Sequence, residues 1–266
     1  VGDSLFVCKD VLKEMRYFGT KQLHKLMPNE HPEMDCKIQK TKFGEYFLIL
    51  PVEKTLKPEK KECLNPVAID PGVRKYLTTY APNSQESFMM GNRWSTRVTS
   101  LLIQLDKMYL ERAKKETEES KKKKHAERIK RIRKKVFYLK KEMKDQCAHF
   151  LASRYDLVMM PKLETARMCM KKDRKLTSKT VRSMLQTGHG EFFNKLKEKC
   201  LELGTTFMEV KEHYTSQTCP CCGQLNKCNE VYHCKNKECG FKHDRDLVGS
   251  LNIFLKAVRK INPLSE

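Results

Sequence analysis

The chain has 266 residues, with 54 lysines and arginines against 33 acidic residues and a formal net charge of +21. That length bounds it at one large domain or two small ones with a real core. The charge excess is far above what solubility requires and points to a polyanion, nucleic acid, as partner. No apolar run is long enough to span a bilayer and no signal-peptide pattern opens the chain, so no membrane partner is expected. The sequence opens on Val1 rather than Met and reads as one whose true N-terminus lies upstream. Of the twelve cysteines, Cys8, Cys36, Cys63, Cys147, Cys169 and Cys200 are scattered, and a dense group lies between Cys219 and Cys239. Scattered thiols plus one cluster indicate a reducing compartment and one metal site. The expected location is intracellular, and nuclear in a eukaryotic host.

Residues 1–60 mix short apolar runs with charges and read as the tail of a β-rich unit. Within them Lys42–Val52 is predicted to be a strand, with Gly44 at a hairpin turn. Val67–Ile69 is a short buried-type strand with Asp70 at its end and Pro71-Gly72 as a turn; Val73–Tyr80 would be the second strand of a hairpin. From Trp94 to Tyr155 the pattern becomes helical. Val98, Leu101, Leu102, Leu105, Met108 and Tyr109 recur at helical spacing. After the charged stretch Glu116–Lys124, Ile129, Ile132, Val136, Leu139 and Met143 form a coiled-coil-like seam, so an antiparallel helical hairpin is expected. Away from the seam stand Lys130, Arg131, Arg133, Lys134, Lys140 and Lys141, either a solvated face or a phosphate-binding one. The Lys121–Lys124 run also resembles a nuclear import signal, a weak motif. Asp156–Met160 is a second buried strand closed by Pro161. Thr177–Gly204 reads as one helix, Thr206–Val210 as a third strand, and Asp246–Val258 as a final helix with Leu247, Leu251, Leu255 and Val258 on its apolar face. This order describes an α/β layer fold.

The segment TCPCCGQLNKCNEVYHCKNKECGF holds two cysteine pairs, Cys219 with Cys222 and Cys234 with Cys239, each followed by glycine. Four thiolates at this spacing suit a structural zinc ion with no open position for water. Disulfides or free thiols are the competing readings, and Cys221 and Cys228 are spare cysteines able to replace a ligand.

Metal-dependent phosphodiester hydrolysis needs carboxylates converging at one edge of a sheet, and magnesium takes few protein ligands per ion. Asp70 ends a buried strand, where an aspartate also commonly caps a turn. Asp244 and Asp246 open the final helix, where aspartate is an ordinary N-cap.

Read together, AIDPGVRKYLTTYAP, YTSQTCPCCG and DRDLVGSLNIF resemble the TnpB transposon nucleases and, more closely, their eukaryotic relatives called Fanzor. The resemblance covers nearly the whole chain. It implies an α/β RuvC nuclease domain of RNase H-like fold (61–212 and 241–266) with an inserted helical hairpin (94–155), a four-cysteine zinc ribbon (213–240) and the end of a wedge-like domain (1–60). It further implies an RNA-guided DNA endonuclease with guide RNA and target DNA as partners, monomeric, using Mg2+ in catalysis and Zn2+ in structure; pairing with the guide reads the sequence while the protein holds the heteroduplex by shape and charge. Family members carry wedge and recognition domains ahead of the nuclease, so guided targeting by this chain alone is expected to be poor.

Carried over residue by residue, Asp70 matches the first catalytic aspartate and Asp246 the last. The family's RD-x-N-A-A-x-N-I pattern reads RDLVGSLNI here, with Val248 in place of asparagine. The middle acid departs as well: the family glutamate falls on Pro161, leaving Glu212, just before the ribbon, or Glu164 as the third ligand. The resemblance to Fanzor favours Glu212 and gives Asp70, Glu212 and Asp246 as the magnesium set. A decayed relative that binds nucleic acid without cutting is the main rival reading. A ribosomal or transcriptional zinc-ribbon protein would explain charge and zinc, but not the two aspartate motifs.

Overall fold

In the computed structural model, which describes residues 37–49, 55–58, 65–84, 86–114, 118–171, 176–211 and 213–261, the first regular element is a hairpin. Its strands β1 (Lys37–Lys40) and β2 (Tyr46–Ile49) pair antiparallel. Thr41 Oγ1 accepts from the N–H groups of Phe43 and Glu45 and closes the turn between them. The strand expected from Lys42 therefore starts only at Tyr46, because residues 41–45 are spent on the turn. This hairpin lies in a unit covering residues 1–55, separate from a second unit at 56–266.

The second unit is built on a five-stranded sheet in the order β5-β4-β3-β6-β7. Its strands are β3 (Pro66–Pro71), β4 (Leu77–Ala81), β5 (Glu86–Met90), β6 (Leu157–Met160) and β7 (Thr206–Glu209). The first three are antiparallel neighbours, whereas β3, β6 and β7 run parallel. Prolines bound β3 at both ends, where a missing ladder N–H is tolerated. Strand β4 begins at Leu77 rather than Val73, because Gly72 N–H donates to Tyr76 O at 3.1 Å and closes a turn over the intervening residues. Strand β5 has no counterpart among the sequence expectations; ESFMM is two polar residues followed by three apolar ones, with no alternation to announce a strand.

Parallel neighbours need long crossovers. Between β5 and β6 these are α1 (Asn92–Ala113) and α2 (Glu119–Arg154), and between β6 and β7 they are α3 (Thr165–Cys169), α4 (Ser178–Thr187) and α5 (His189–Leu203). The α1–α2 pair is the expected hairpin: Val98, Leu101, Leu105 and Met108 bury against Ile129, Ile132, Val136 and Leu139, while Tyr109 points outward. Helix α2 already begins at Glu119, so the Lys121–Lys124 run is helical rather than linker. The single helix expected over Thr177–Gly204 is two. Gly188 stands between them at φ 63°, ψ 45°, a left-handed conformation that stops α4 and redirects α5.

Strand alternation sorts the core into two faces. Val67, Ile69, Val158 and Met160 pack with Met143, Cys147 and Leu151 of α2 and with Phe192, Leu196 and Cys200 of α5. Ala68, Leu157, Met159 and Val210 pack against Ile253 and Ala257 of the last helix, α6 (Arg245–Ile261). The sheet is thus a middle layer between α2/α5 and α6, as expected of an α/β layer fold. The buried stripe of α6 is Val248, Asn252, Ile253 and Ala257, not the predicted Leu247, Leu251, Leu255 and Val258, which are half-buried or exposed. This helix meets the cysteine-rich lobe as well as the sheet, and polar Asn252 is accommodated by donating to Thr215 O (2.7 Å) and Thr218 O (2.8 Å). Counting leucines alone picks the wrong face. Among the described residues no helix is long and apolar enough to cross a membrane.

Candidate active site and zinc ribbon

Two short strands, β8 (Val231–His233) and β9 (Lys242–Asp244), pair antiparallel beside the cysteine pairs. The Sγ atoms of Cys219, Cys222, Cys234 and Cys239 all lie within 4.8 Å of one another. Thiolates on a tetrahedral zinc with bonds of about 2.3 Å stand about 3.8 Å apart. The sulfurs of Cys219 and Cys239 are 3.7 Å apart and those of Cys222 and Cys234 3.5 Å, so the donor set fits that ion. Gly223 and Gly240 adopt positive φ (75° and 59°), as the turn after each pair requires. Burial works to raise the Cys219 thiol, but N–H groups of Cys222 and Cys221 directed at its sulfur outweigh it and bring it down to about 7, while the crowding of thiols helps push its neighbour Cys239 up to about 12. Exposed Cys221 and half-buried Cys228, whose sulfur lies 3.5 Å from Ser216 O, stand outside the cluster. Tyr232 is fully buried under the site, and its hydroxyl meets Asn226 at 2.9 Å.

The ribbon runs directly into α6. Asp244, the last residue of β9, caps the helix: its Oδ1 accepts from Asp246 N–H at 2.9 Å and Leu247 N–H at 3.3 Å. Its other oxygen takes Lys75 Nζ at 2.7 Å, and the same ammonium reaches Asp246 Oδ2 at 3.4 Å. Burial opposes the Asp244 charge, but Lys75 and the two helix N–H groups prevail and hold its carboxyl below the usual range. Val248 packs into the ribbon core with Cys219, Tyr232 and Cys234. The family-divergent valine thus fills an apolar contact between helix and ribbon.

Asp70 is two residues after Ala68 on β3 and shares its α6-facing register. It lies against Gly249: a Cβ added there would come within 3.1 Å of Asp70 Cγ and closer still to Oδ2. Gly249 is one turn beyond Asp246, on the same side of α6. The strand-end aspartate therefore lies against α6 one helical turn from Asp246, the aspartate that Lys75 reaches. Glu164 opens α3 beyond Pro161, is exposed, and pairs with Arg167 at 3.5 Å. Glu212 lies outside the described residues.

The turn that follows Asp70 is held by His189, the first residue of α5, whose Nε2 is 2.8 Å from Gly72 O. A carbonyl only accepts, so Nε2 carries the proton. The ring stacks on Tyr76 at 5.0 Å between centroids, and Tyr76 meets Phe192 edge-on. Burial pushes His189 down to about 4, with the Gly72 carbonyl opposing and nearby Lys144 adding to the shift, so it is neutral at physiological pH. Lys144 is itself buried and pairs with Glu191 of α5. Sequence reasoning missed both Lys75 and His189, which have no recognisable local motif. On the hairpin, Lys130, Arg131, Arg133 and Lys141 are exposed, whereas Lys140 donates to Gln186 of α4 at 3.1 Å.

Residues 189–253, which run from α5 through the ribbon into α6, match the family model described as Cas12f1-like, TNB domain. A candidate transposase of Paramecium bursaria Chlorella virus 1 is 32% identical over 249 residues, covering 92% of this chain and 54% of that protein. A TnpB-like protein of Acanthamoeba polyphaga mimivirus is 26% identical over 215 residues, covering 79% of this chain and 40% of its own length. The chain thus spans about half the length of the curated relatives it matches. The fold is similar to that in a cryo-EM structure of a CRISPR-Cas12f ternary complex, with TM-score 0.53 and 21% identity, covering 88% of this chain and 47% of that one. A Cas12f1–sgRNA–target DNA complex aligns at TM-score 0.51 and 19% identity over 82% of this chain and 55% of that one. In sequence the chain thus resembles the TnpB-like and transposase proteins over most of its length, and in fold the Cas12f nucleases.

Proposed function

We propose that this chain carries the RuvC-type nuclease centre, of RNase H-like fold, of an RNA-guided DNA endonuclease. The observation that carries the reading is the meeting of Asp70 and the first turns of α6 at one sheet edge, with Gly249 leaving space for the Asp70 carboxylate. The sheet order, with an antiparallel hairpin at β3–β5 and parallel strands β6 and β7, supports it. Asp70 and Asp246 would hold Mg2+, with Glu212 as third ligand. Solvent-exposed Glu164, paired with Arg167, is less suited to that role. Bound magnesium would supply an activated water and charge stabilisation at the phosphoryl oxygens. The protein's own part is to present hard oxygen ligands on two rigid elements and to keep them in register through the turn at Gly72 and the cap at Asp244. Zn2+ on Cys219, Cys222, Cys234 and Cys239 has a structural role, because four thiolates fill its tetrahedron.

The solved Cas12f relatives are a ternary complex and a complex with sgRNA and target DNA, and the +21 charge of this chain suits the same class of partner. Guide RNA and target DNA are accordingly its proposed partners. The protein acts as a monomer inside the cell, in the nucleus of a eukaryotic host.

The rival reading, a decayed relative that binds without cutting, drew on the altered RDLVGSLNI motif. Val248 in the ribbon core and Gly249 beneath Asp70 give those departures packing roles, which favours a retained catalytic centre. The test is Mg2+-dependent DNA cleavage in the presence of guide RNA. Asp70→Ala, Asp246→Ala and Glu212→Gln are expected to lower the rate at least about 100-fold, as loss of a metal clamp should, while Glu164→Gln cuts normally. Salt-sensitive nucleic-acid binding with no cleavage by any version would mean a binding module instead.

A further inference from the structure

Lys75 is the cation placed among the acids of the proposed nuclease centre. Its ammonium is 2.7 Å from Asp244 and 3.4 Å from Asp246, and its side chain is only 22% exposed. The two aspartates are not equivalent partners. Asp244 is committed on both oxygens, one capping α6 and the other on Lys75. Asp246 has the longer contact to the ammonium and is the carboxylate that can be given up to another cation.

The lysine is also unable to drift far. It belongs to the tight turn between β3 and β4, which is closed by Gly72 N–H on Tyr76 O and held by His189 on Gly72 O. Its neighbour Arg74 pairs with Glu230 at the edge of the ribbon. A divalent ion arriving at Asp246 therefore meets a fixed positive charge beside its ligand. Two cations sharing one carboxylate repel, and in this partly buried position water screens that repulsion only in part.

We propose that Lys75 is a built-in counter-ion of the nuclease centre, competing with divalent metal for Asp246 and so setting the metal concentration at which the centre loads. It is a positioning residue: without metal it holds Asp246 against the ribbon–helix junction, and with metal it stays on Asp244. The inference rests on the nuclease reading above.

The two ideas separate in one experiment. Mn2+ binding to the protein is measured by electron paramagnetic resonance for wild type, Asp70→Asn, Asp246→Asn, Lys75→Met, Lys75→Gln and Lys75→Arg, with zinc content and circular dichroism confirming the fold of each. Lys75→Met and Lys75→Gln are expected to tighten Mn2+ binding by about 10-fold or more, because a like charge beside the ligand is gone. Lys75→Arg, which keeps the charge, stays within about 3-fold of wild type on the same argument. A purely structural lysine would act in the opposite sense, its loss loosening the site and weakening Mn2+. Unchanged or weaker binding in both neutral variants would overturn the counter-ion role and leave the nuclease reading standing. Mn2+ binding indifferent to Asp70→Asn and Asp246→Asn would remove the nuclease reading itself, and the role of Lys75 with it.

Discussion

At His189 a neutral imidazole is buried beneath the turn that follows Asp70, and its cost in acid follows from linkage. Its folded pKa, about 4, lies below the ordinary 6.5, so the unfolded chain binds the extra proton first as pH falls. The stabilising contribution is complete above pH 6.5, declines as pH falls from there, and is gone below about 4; its full size is on the order of 3 kcal/mol. Denaturant unfolding of His189→Gln, whose amide can still donate to Gly72 O, should give a flatter stability profile across that window; an unchanged slope would show that another group titrates there. Gly249 makes a second residue-scale prediction. Gly249→Val places a branched side chain where the Asp70 carboxylate lies, so cleavage should fall by about 10-fold or more with helix content and zinc binding retained. Normal cleavage by this variant would mean that Asp70 works from elsewhere. Asp70 and Asp246 were legible as candidates because each sits in a local motif, at a strand end and a helix start. Lys75 and His189 were not, since their partners Asp244 and Gly72 are 169 and 117 positions away.

Helix α6 is shared between sheet and ribbon, and this couples the zinc lobe to the acids. Val248 packs under the cysteines, Asn252 ties the approach to Cys219, and Asp244 joins β9 to the helix start. Removing zinc with a chelator should therefore raise amide hydrogen exchange through residues 244–250 and lower cleavage, while the α1–α2 seam stays protected. Protection of 244–250 unchanged without zinc would show that the helix start holds by itself. The seam itself was readable in advance because Ile129, Ile132, Val136 and Leu139 keep a spacing that a helix pair buries, whereas Met143, expected to continue it, packs instead with the sheet and α5. The break at Gly188 was not. A lone glycine in an apolar periodic segment is compatible with a continuing helix, and nothing local announces that Gly188 takes the left-handed conformation (φ 63°) that glycine alone adopts at little cost.

Across the second unit, the layer order places hairpin and α5 on one side of the sheet and α6 with the ribbon on the other, so the acid edge and the zinc lobe share a side. That arrangement could not be read from charge or cysteine spacing, which name partners and a metal but no geometry. The exposed Lys130, Arg131, Arg133 and Lys141 of the hairpin add a basic surface suited to phosphate contacts, whose affinity should fall with salt. The central claim is that the two aspartates form one metal centre with Glu212. Crystals soaked in Mn2+ and measured at the manganese absorption edge test it directly: the account predicts anomalous density bridging Asp70 and Asp246, with Glu212 as the third protein ligand. Manganese bound to Glu164, or absent from between the two aspartates at saturating concentration, would contradict it.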